Sequence, residues 1–139
     1  MSISVKKRRK PAINMGIEAN RRLSNLAMAI EERMPEIADA LLQELDRARL
    51  VPDAKLPDKV VRLGSTVEFA TNGDQPRRIT LVMPAEADIA QGRISIATPI
   101  GVALIGLSEG QSMTAHARDG RENLLTVMKV SAPQPAEAG

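Results

Sequence analysis

Glu36 and Asp39 stand three residues apart just behind Pro35. On a helix that spacing turns both carboxylates to one side, where they could share a divalent cation. Glu31 and Glu32 add to the acidity around the proline, with only Arg33 to offset them. A plainer reading is that acids beside a helix start complement its dipole, and spacing alone favours it. His116 is the only imidazole of the chain. A multi-histidine metal site is therefore excluded, and a serine triad would have to use this one residue. Set between Ala115 and Ala117 in a strand-like stretch, His116 reads as an ordinary surface residue. No serine sits in a nucleophile-elbow pattern, and no lysine follows Gly101 to Gly106, which rules out a phosphate cradle there. The residues thus predict no catalytic group, no metal site and no cofactor.

Lys6, Lys7, Arg8, Arg9 and Lys10 form the remaining chemical feature, a run of five like charges. It lies ahead of every one of the 17 acidic residues, so the rest of the chain is slightly acidic although the net charge is +2. Such a run is first of all a solvated tail. Its functional alternative is a polyanion contact, which with nucleic acid would be weak, salt-sensitive and blind to sequence.

Composition narrows the classes further. The chain has 139 residues, 43% hydrophobic and 26% charged, with one aromatic, Phe69, and no cysteine. That length fits one compact domain, or one small domain with an appendage. Its core must be built from Leu, Ile, Val, Met and Ala. Sheets that stack bases on aromatic rings are excluded, as are disulfide scaffolds, thiolate metal sites and cysteine nucleophiles. Pro11, Asn14, Glu18 and Asn20 interrupt the stretch after the basic run, which is therefore no secretory signal. No window approaches the length of a membrane span. The expectation is a soluble, cytoplasmic monomer that makes no membrane contact.

Hydrophobic periodicity sets where these residues lie. Leu23, Leu26, Ala27, Ile30 and Met34 fall on one helical stripe, so a helix is expected from near Gly16 to Met34. Pro35 ends it and opens a second helix, in which Ile37, Leu41, Leu45 and Ala48 share a face. The pair reads as a helical hairpin, stripe against stripe. Pro52 and Pro57 mark a linker. The period then drops to two at Val61, Leu63, Val67 and Phe69, and Asn72-Gly73 supplies a tight turn before Ile79, Leu81 and Met83. A short strand at Arg93–Thr98, a buried helix at Ile100–Leu107 and a last hairpin across Asp119-Gly120 complete the pattern. The organisation expected is a basic flexible tail over 1–15, a helical hairpin over 16–50, a linker over 51–57, an antiparallel sheet domain over 58–131 and a flexible tail over 132–139. The class is α+β.

One stretch carries more than pattern. Glu86-Ala87-Asp88-Ile89, Gly92-Arg93-Ile94-Ser95, Pro99-Ile100 and Ala103-Leu104-Ile105-Gly106 follow one another without a gap in spacing. In order and spacing they resemble the C-terminal signature of the GreA/GreB transcription elongation factors. Thr98 stands where that family has a serine and keeps its hydroxyl, whereas Gln111 replaces an acid and loses a charge. Ala38-Asp39-Ala40-Leu41, Glu44-Leu45-Asp46-Arg47-Ala48, Val51-Pro52 and Leu56 to Val61 are similar to a narrower branch, the regulator of nucleoside diphosphate kinase (Rnk) proteins. The resemblance runs from Ile37 to Val130.

What the resemblance implies is a short N-terminal antiparallel coiled coil followed by an FKBP-like antiparallel sheet domain with one short helix. It also implies a partner, bacterial RNA polymerase, bound near its secondary channel by the C-terminal domain, with the family's contact mapping to Thr98, Pro99, Ile100 and Asp88. Pro99 has a competing role as the opener of the buried helix, and Gly101 and Gly106 as sites of close packing. In Gre factors a much longer coiled coil carries an acidic tip to the polymerase active site, where it helps hold a metal ion for transcript cleavage. A helix from Gly16 to Met34 is at most about 28 Å long at ~1.5 Å per residue. Glu36 and Asp39 imitate the tip but fall short. The expected function is a non-enzymatic transcription regulator that competes with Gre-type factors and does not stimulate cleavage. Two other classes compete: a DNA-binding module using the basic tail, and a prolyl isomerase or chaperone suggested by the fold. The isomerase pocket is lined with aromatic rings that this chain lacks. The branch name implies altered nucleoside diphosphate kinase levels, yet nothing in the chain looks like a kinase.

Overall fold

Leu23, Ala27 and Ile30 recur at helical spacing and form the buried face of α1 (Ile17–Ile30) in the computed structural model, which describes residues 10–117 and 119–133. α1 stops one turn earlier than the stripe suggested, because Arg33 and Met34 both donate to the Ile30 carbonyl and close the helix. Pro35 then occupies the first turn of α2 (Pro35–Arg47), whose buried positions are Ala38, Leu41, Glu44 and Leu45. The two helices pack against each other as the expected hairpin.

Residues 13–15, expected within a flexible tail over 1–15, are held in the fold instead. Ile13 and Met15 are 1% and 2% exposed, and Asn14–Gly16 form a strand, β1, paired in parallel with β2 (Arg49–Val51). Two alternate apolar side chains hold this segment down, while the Asn14 N–H donates to the Gly106 carbonyl at 3.2 Å and the Arg49 N–H to the Ile13 carbonyl at 2.9 Å. Positions 1–9 and 134–139 lie outside the described residues.

The stretch expected as a linker, 51–57, also carries structure. Within a 3-10 turn at Asp53–Lys55, the Asp53 carboxylate accepts from the N–H of Glu18 at 2.7 Å and of Ala19 at 3.2 Å. It therefore caps α1 from 35 residues away. The residue at the local cap position is Gly16, and a Cβ there would run into the Asp53 carboxylate. Glycine leaves room for the distant cap.

Five strands form the main sheet: β3 (Thr66–Thr71), β4 (Arg77–Val82), β5 (Arg93–Ser95), β6 (Ser112–His116) and β7 (Glu122–Ser131), in the order β5-β4-β3-β7-β6. Asn72 and Gly73, with φ of 52° and 80°, turn the chain between β3 and β4. The sheet is mixed rather than antiparallel, since β4 and β5 run parallel. Between them the chain does not make a hairpin. It crosses back through 3-10 turns at Pro84–Glu86 and Ile89–Gln91, and Asp88 and Arg93 exchange two backbone hydrogen bonds of 2.9 Å to start β5. α3 (Pro99–Leu104) follows and packs on β6.

Val67, Phe69, Ile79, Leu81, Leu125 and Val127 from the sheet share one buried cluster with Leu104 of α3 and with Leu23, Ala27, Leu41 and Leu45 of the hairpin. A fully buried side chain of this size contributes about 1.5–3 kcal/mol. The hairpin is thus held by the same core as the sheet.

Candidate functional site

Thr98 is the hinge between β5 and α3. Its hydroxyl donates to the Ser95 carbonyl at 2.7 Å and accepts from the Gly101 N–H at 3.0 Å, so it is the N-cap of α3, with Pro99 in the first turn. The hydroxyl that survives the exchange of serine for threonine therefore has a structural task. Gly101 lies against the Ser95 carbonyl and Gly106 against Ile13 and Asn14, both closer than a Cβ allows. Each glycine marks an approach of backbone to its neighbours.

Thr98 and Pro99 also line a cleft of about 1370 Å³ bounded by α2 on one side and β6 on the other. Met34, Ile37 and Ala40 contribute apolar surface from the hairpin, and Val102 from α3. Lys10 and Glu36 stand among the lining residues. Ile100 does not; it packs against the core cluster. Asp88 lies exposed between the two 3-10 turns beyond β4, bridged through its backbone to Arg93, and is not part of the cleft lining. Of the four residues grouped by the polymerase-contact expectation, the cleft brings together two.

The hairpin acids are also separated in use. Glu36 and Asp39 are exposed, and the Asp39 carboxylate accepts from Gln43 Nε2 at 3.0 Å. Among the described residues no cluster of three or more His, Cys, Asp or Glu is placed to hold a metal ion. The pair has no third protein ligand and does not fit a metal by itself. His116 is exposed at the end of β6, 3.6 Å from Glu122.

Lys10, expected as part of a polyanion contact, is engaged by the protein itself. Its ammonium lies 3.3 Å from Glu44 Oε2, and Arg47 donates to Glu44 Oε1 at 3.0 and 2.8 Å. Glu44 is 3% exposed, so both cations are needed to offset its desolvation. Arg47 also donates to the Pro11 carbonyl, tying α2 to the strap in front of β1. Lys6, Lys7, Arg8 and Arg9 fall outside the described residues.

Gln111 explains its own departure from the family pattern. Its Oε1 accepts from the Ser108 N–H at 2.9 Å, and its Nε2 donates to the Ala12 carbonyl at 3.1 Å. An acid can do the first but not the second. Glu44, Asp53 and Gln111 are thus the residues whose roles periodicity did not reveal. Gln111 left a signal as a break in the family motif, and Glu44 left one in its spacing of three residues to Arg47. None of the described helices is long and apolar enough to cross a membrane.

Two helices followed by a sheet is a fold this chain shares with known proteins. The family model for the C-terminal part of the transcription elongation factors GreA/GreB matches residues 56–132, more than half of the chain, and the chain belongs to this family. It is 38% identical over 104 residues to the regulator of nucleoside diphosphate kinase of Escherichia coli strain K12, covering 74% of this chain and 76% of that one. Transcription elongation factor GreA of Rhodospirillum rubrum is 37% identical over 92 residues, which cover 66% of this chain but 56% of the factor. A solved structure, the prokaryotic transcription elongation factor GreA/GreB from Nitrosomonas europaea, superimposes with a TM-score of 0.69 at 31% identity, covering 88% of this chain and 99% of that one. Both likenesses read from the motifs, to the wider family and to the narrower branch, are borne out.

Proposed function

We propose that this chain is a non-enzymatic transcription regulator that docks on bacterial RNA polymerase near the secondary channel, competes there with longer-armed Gre-type factors, and does not stimulate transcript cleavage. The likeness to named elongation factors supports the partner, and the Thr98-Pro99 step beside the cleft is the docking contact, with Ile100 supporting it from the core and Asp88 on a second exposed loop.

The observation that carries the reading is the size and attitude of the hairpin. α1 has 14 residues, so it is about 21 Å long at ~1.5 Å per residue. Nor does it project freely: Leu23, Ala27, Leu41 and Leu45 sit in the sheet's core, and towards the far end Ile30 and Ala38 pack on Ala97. Metal-assisted cleavage needs ligands within bonding distance of the ion, and an arm laid along its own domain cannot deliver Glu36 and Asp39 to a remote active site.

A backtracked elongation complex tests this. Incubation with the chain alone is expected to leave transcript length unchanged, and its addition is expected to slow cleavage driven by a GreA factor as the two compete. Robust shortening by the chain alone would sink the reading.

A further inference from the structure

β6 ends the sheet on one side, and its outer edge faces the cleft. The Val127 N–H donates to the Gln111 carbonyl and the Ala117 N–H to the Arg121 carbonyl, both at 2.9 Å. With Met113 opposite Leu125 and Ala115 opposite Asn123 in the same register, the ladder bonds to β7 belong to Met113 and Ala115. The N–H and C=O groups of Ser112, Thr114 and His116 must then point the other way, into the cleft. Among the described residues no strand pairs with them.

Proteins blunt such edges with proline, charges, bulges or covering elements. The opposite edge obeys this: β5 has three residues and the 3-10 turns at Pro84–Glu86 and Ile89–Gln91 lie against it. β6 has five residues, reads Ser-Met-Thr-Ala-His, and pairs with β7 without a register shift. Within Ser112–His116 there is no proline, no Asp, Glu, Lys or Arg and no bulge. What faces it is an apolar floor of Met34, Ile37, Pro99 and Val102. A strand added at the usual spacing of about 4.8 Å would turn every second side chain onto that floor. The cleft, at about 1370 Å³, exceeds the roughly 300–1,000 Å³ typical of small-molecule pockets.

Charge sets the occupant's direction. Arg47 Nη2 approaches Met113 Sδ at 4.0 Å, which puts the Lys10–Glu44–Arg47 group, two cations against one acid, at the Ser112 end. Glu122 lies beside His116 at the other end, while Glu36 and Arg33, which line the cleft around the start of α2 and remote from Glu44, offset each other and leave that acid in excess. We infer that the cleft binds one extended peptide segment of a partner protein as a sixth, antiparallel strand on β6, basic at its start near His116 and acidic at its finish near Lys10. The inference goes beyond polymerase docking, because it names the chemistry of the segment and holds for any protein that supplies one.

The test is a titration of the full, 15N-labelled chain with the capped peptide Lys-Val-Thr-Val-Thr-Val-Asp, read by amide spectra and hydrogen exchange. Shifts are expected to centre on 112–116, with exchange at Ser112, Thr114 and His116 slowed about tenfold or more. The reversed peptide, Asp-Val-Thr-Val-Thr-Val-Lys, is expected to bind several-fold more weakly, and Glu36→Lys to narrow that difference. Thr114→Pro removes the central donor at a position where an edge strand accepts proline, and should abolish binding. Glu36→Lys changes an exposed residue and keeps the test sharp should the proline variant not fold. Shifts confined to other residues, equal affinity for both peptides, or protection of 112–116 that tracks dimer formation without peptide would overturn the inference. No polymerase is present, so a negative result here leaves polymerase docking standing, and a failed polymerase competition leaves a positive titration standing.

Discussion

The two ends of the helical hairpin are held in different ways. At the base, a caged carboxylate at Glu44, a distant cap from Asp53 and the Gln111 amide tie α1, α2 and the strap before β1 to one another and to the sheet domain. At the far end the contact is a small apolar cluster of Ile30, Ala38 and Ala97, and the charges Glu31, Glu32, Arg33 and Glu36 are exposed. Directional hydrogen bonds sit where an angle must be fixed, and non-directional packing where the arm need only lie down. The orientation of the hairpin is therefore set at its root, far from the acids that would matter if it reached outward.

The largest expected effect comes from emptying the caged site. Glu44→Ala removes the buried partner of Lys10 and Arg47, whose own side chains keep 48% and 24% of their exposure, and the lost charged hydrogen bonds should cost about 2 kcal/mol. A chemical-denaturation midpoint compared with that of Glu44→Gln measures it, since the amide keeps the shape and part of the hydrogen bonding. Loss no greater than that of a surface substitution would remove the root of the comparison.

Next in size is the cap. Asp53→Ala should cost about 1 kcal/mol through the orphaned N–H groups of Glu18 and Ala19. Gly16→Ala should cost at least as much alone, because its Cβ meets the Asp53 carboxylate. The two should not add, as the clash disappears once the carboxylate is gone. Additivity in the double variant would mean that Gly16 is glycine for another reason.

Much of this arrangement was legible in the residues. The stripes of α1 and α2, the proline between them, the Asn72-Gly73 turn and the alternation through Val67 and Phe69 are local patterns, and local patterns survive folding. Thr98-Pro99 stood out through the family motif and proved to be a helix cap. The strap was not legible, because three-residue strands such as Asn14–Gly16 and Arg49–Val51 are too short to show a period. Asp53 read as a charged linker residue, since a cap that reaches back 35 residues leaves no spacing signal. β5 falls within the short strand expected at Arg93–Thr98, but its parallel pairing with β4 was not legible, because the 3-10 turns that carry the crossover look like ordinary loop sequence. Glu44 carries a side chain that is almost never buried unless paired; Arg47 stands three residues on along α2, but Lys10 lies 34 residues away and leaves no spacing signal.

Gln111→Glu should have a smaller effect, about 0.7 kcal/mol, by putting a carboxylate where Nε2 now donates to the Ala12 carbonyl. The loss should appear first as faster hydrogen exchange at Asn14, whose N–H meets Gly106 beside the strap, with β3 and β7 unaffected. Equal loss of protection across the sheet would show that Gln111 serves the whole domain rather than the hairpin base.

The smallest effect belongs to the exposed acids. Glu36 and Asp39 make no contact that anchors the hairpin, because Glu36 is solvated and Asp39 bonds only to Gln43 on its own helix. The double substitution Glu36→Ala, Asp39→Ala should therefore shift stability by no more than about 0.5 kcal/mol, most of it from the lost complement to the α2 dipole. If docking runs through Thr98 and Pro99, the same variant should compete with a GreA factor for polymerase as well as the parent does. A variant that stays folded yet no longer competes would place a partner contact at the far end of the hairpin, and the arm would then be held down to present its acids rather than to withdraw them.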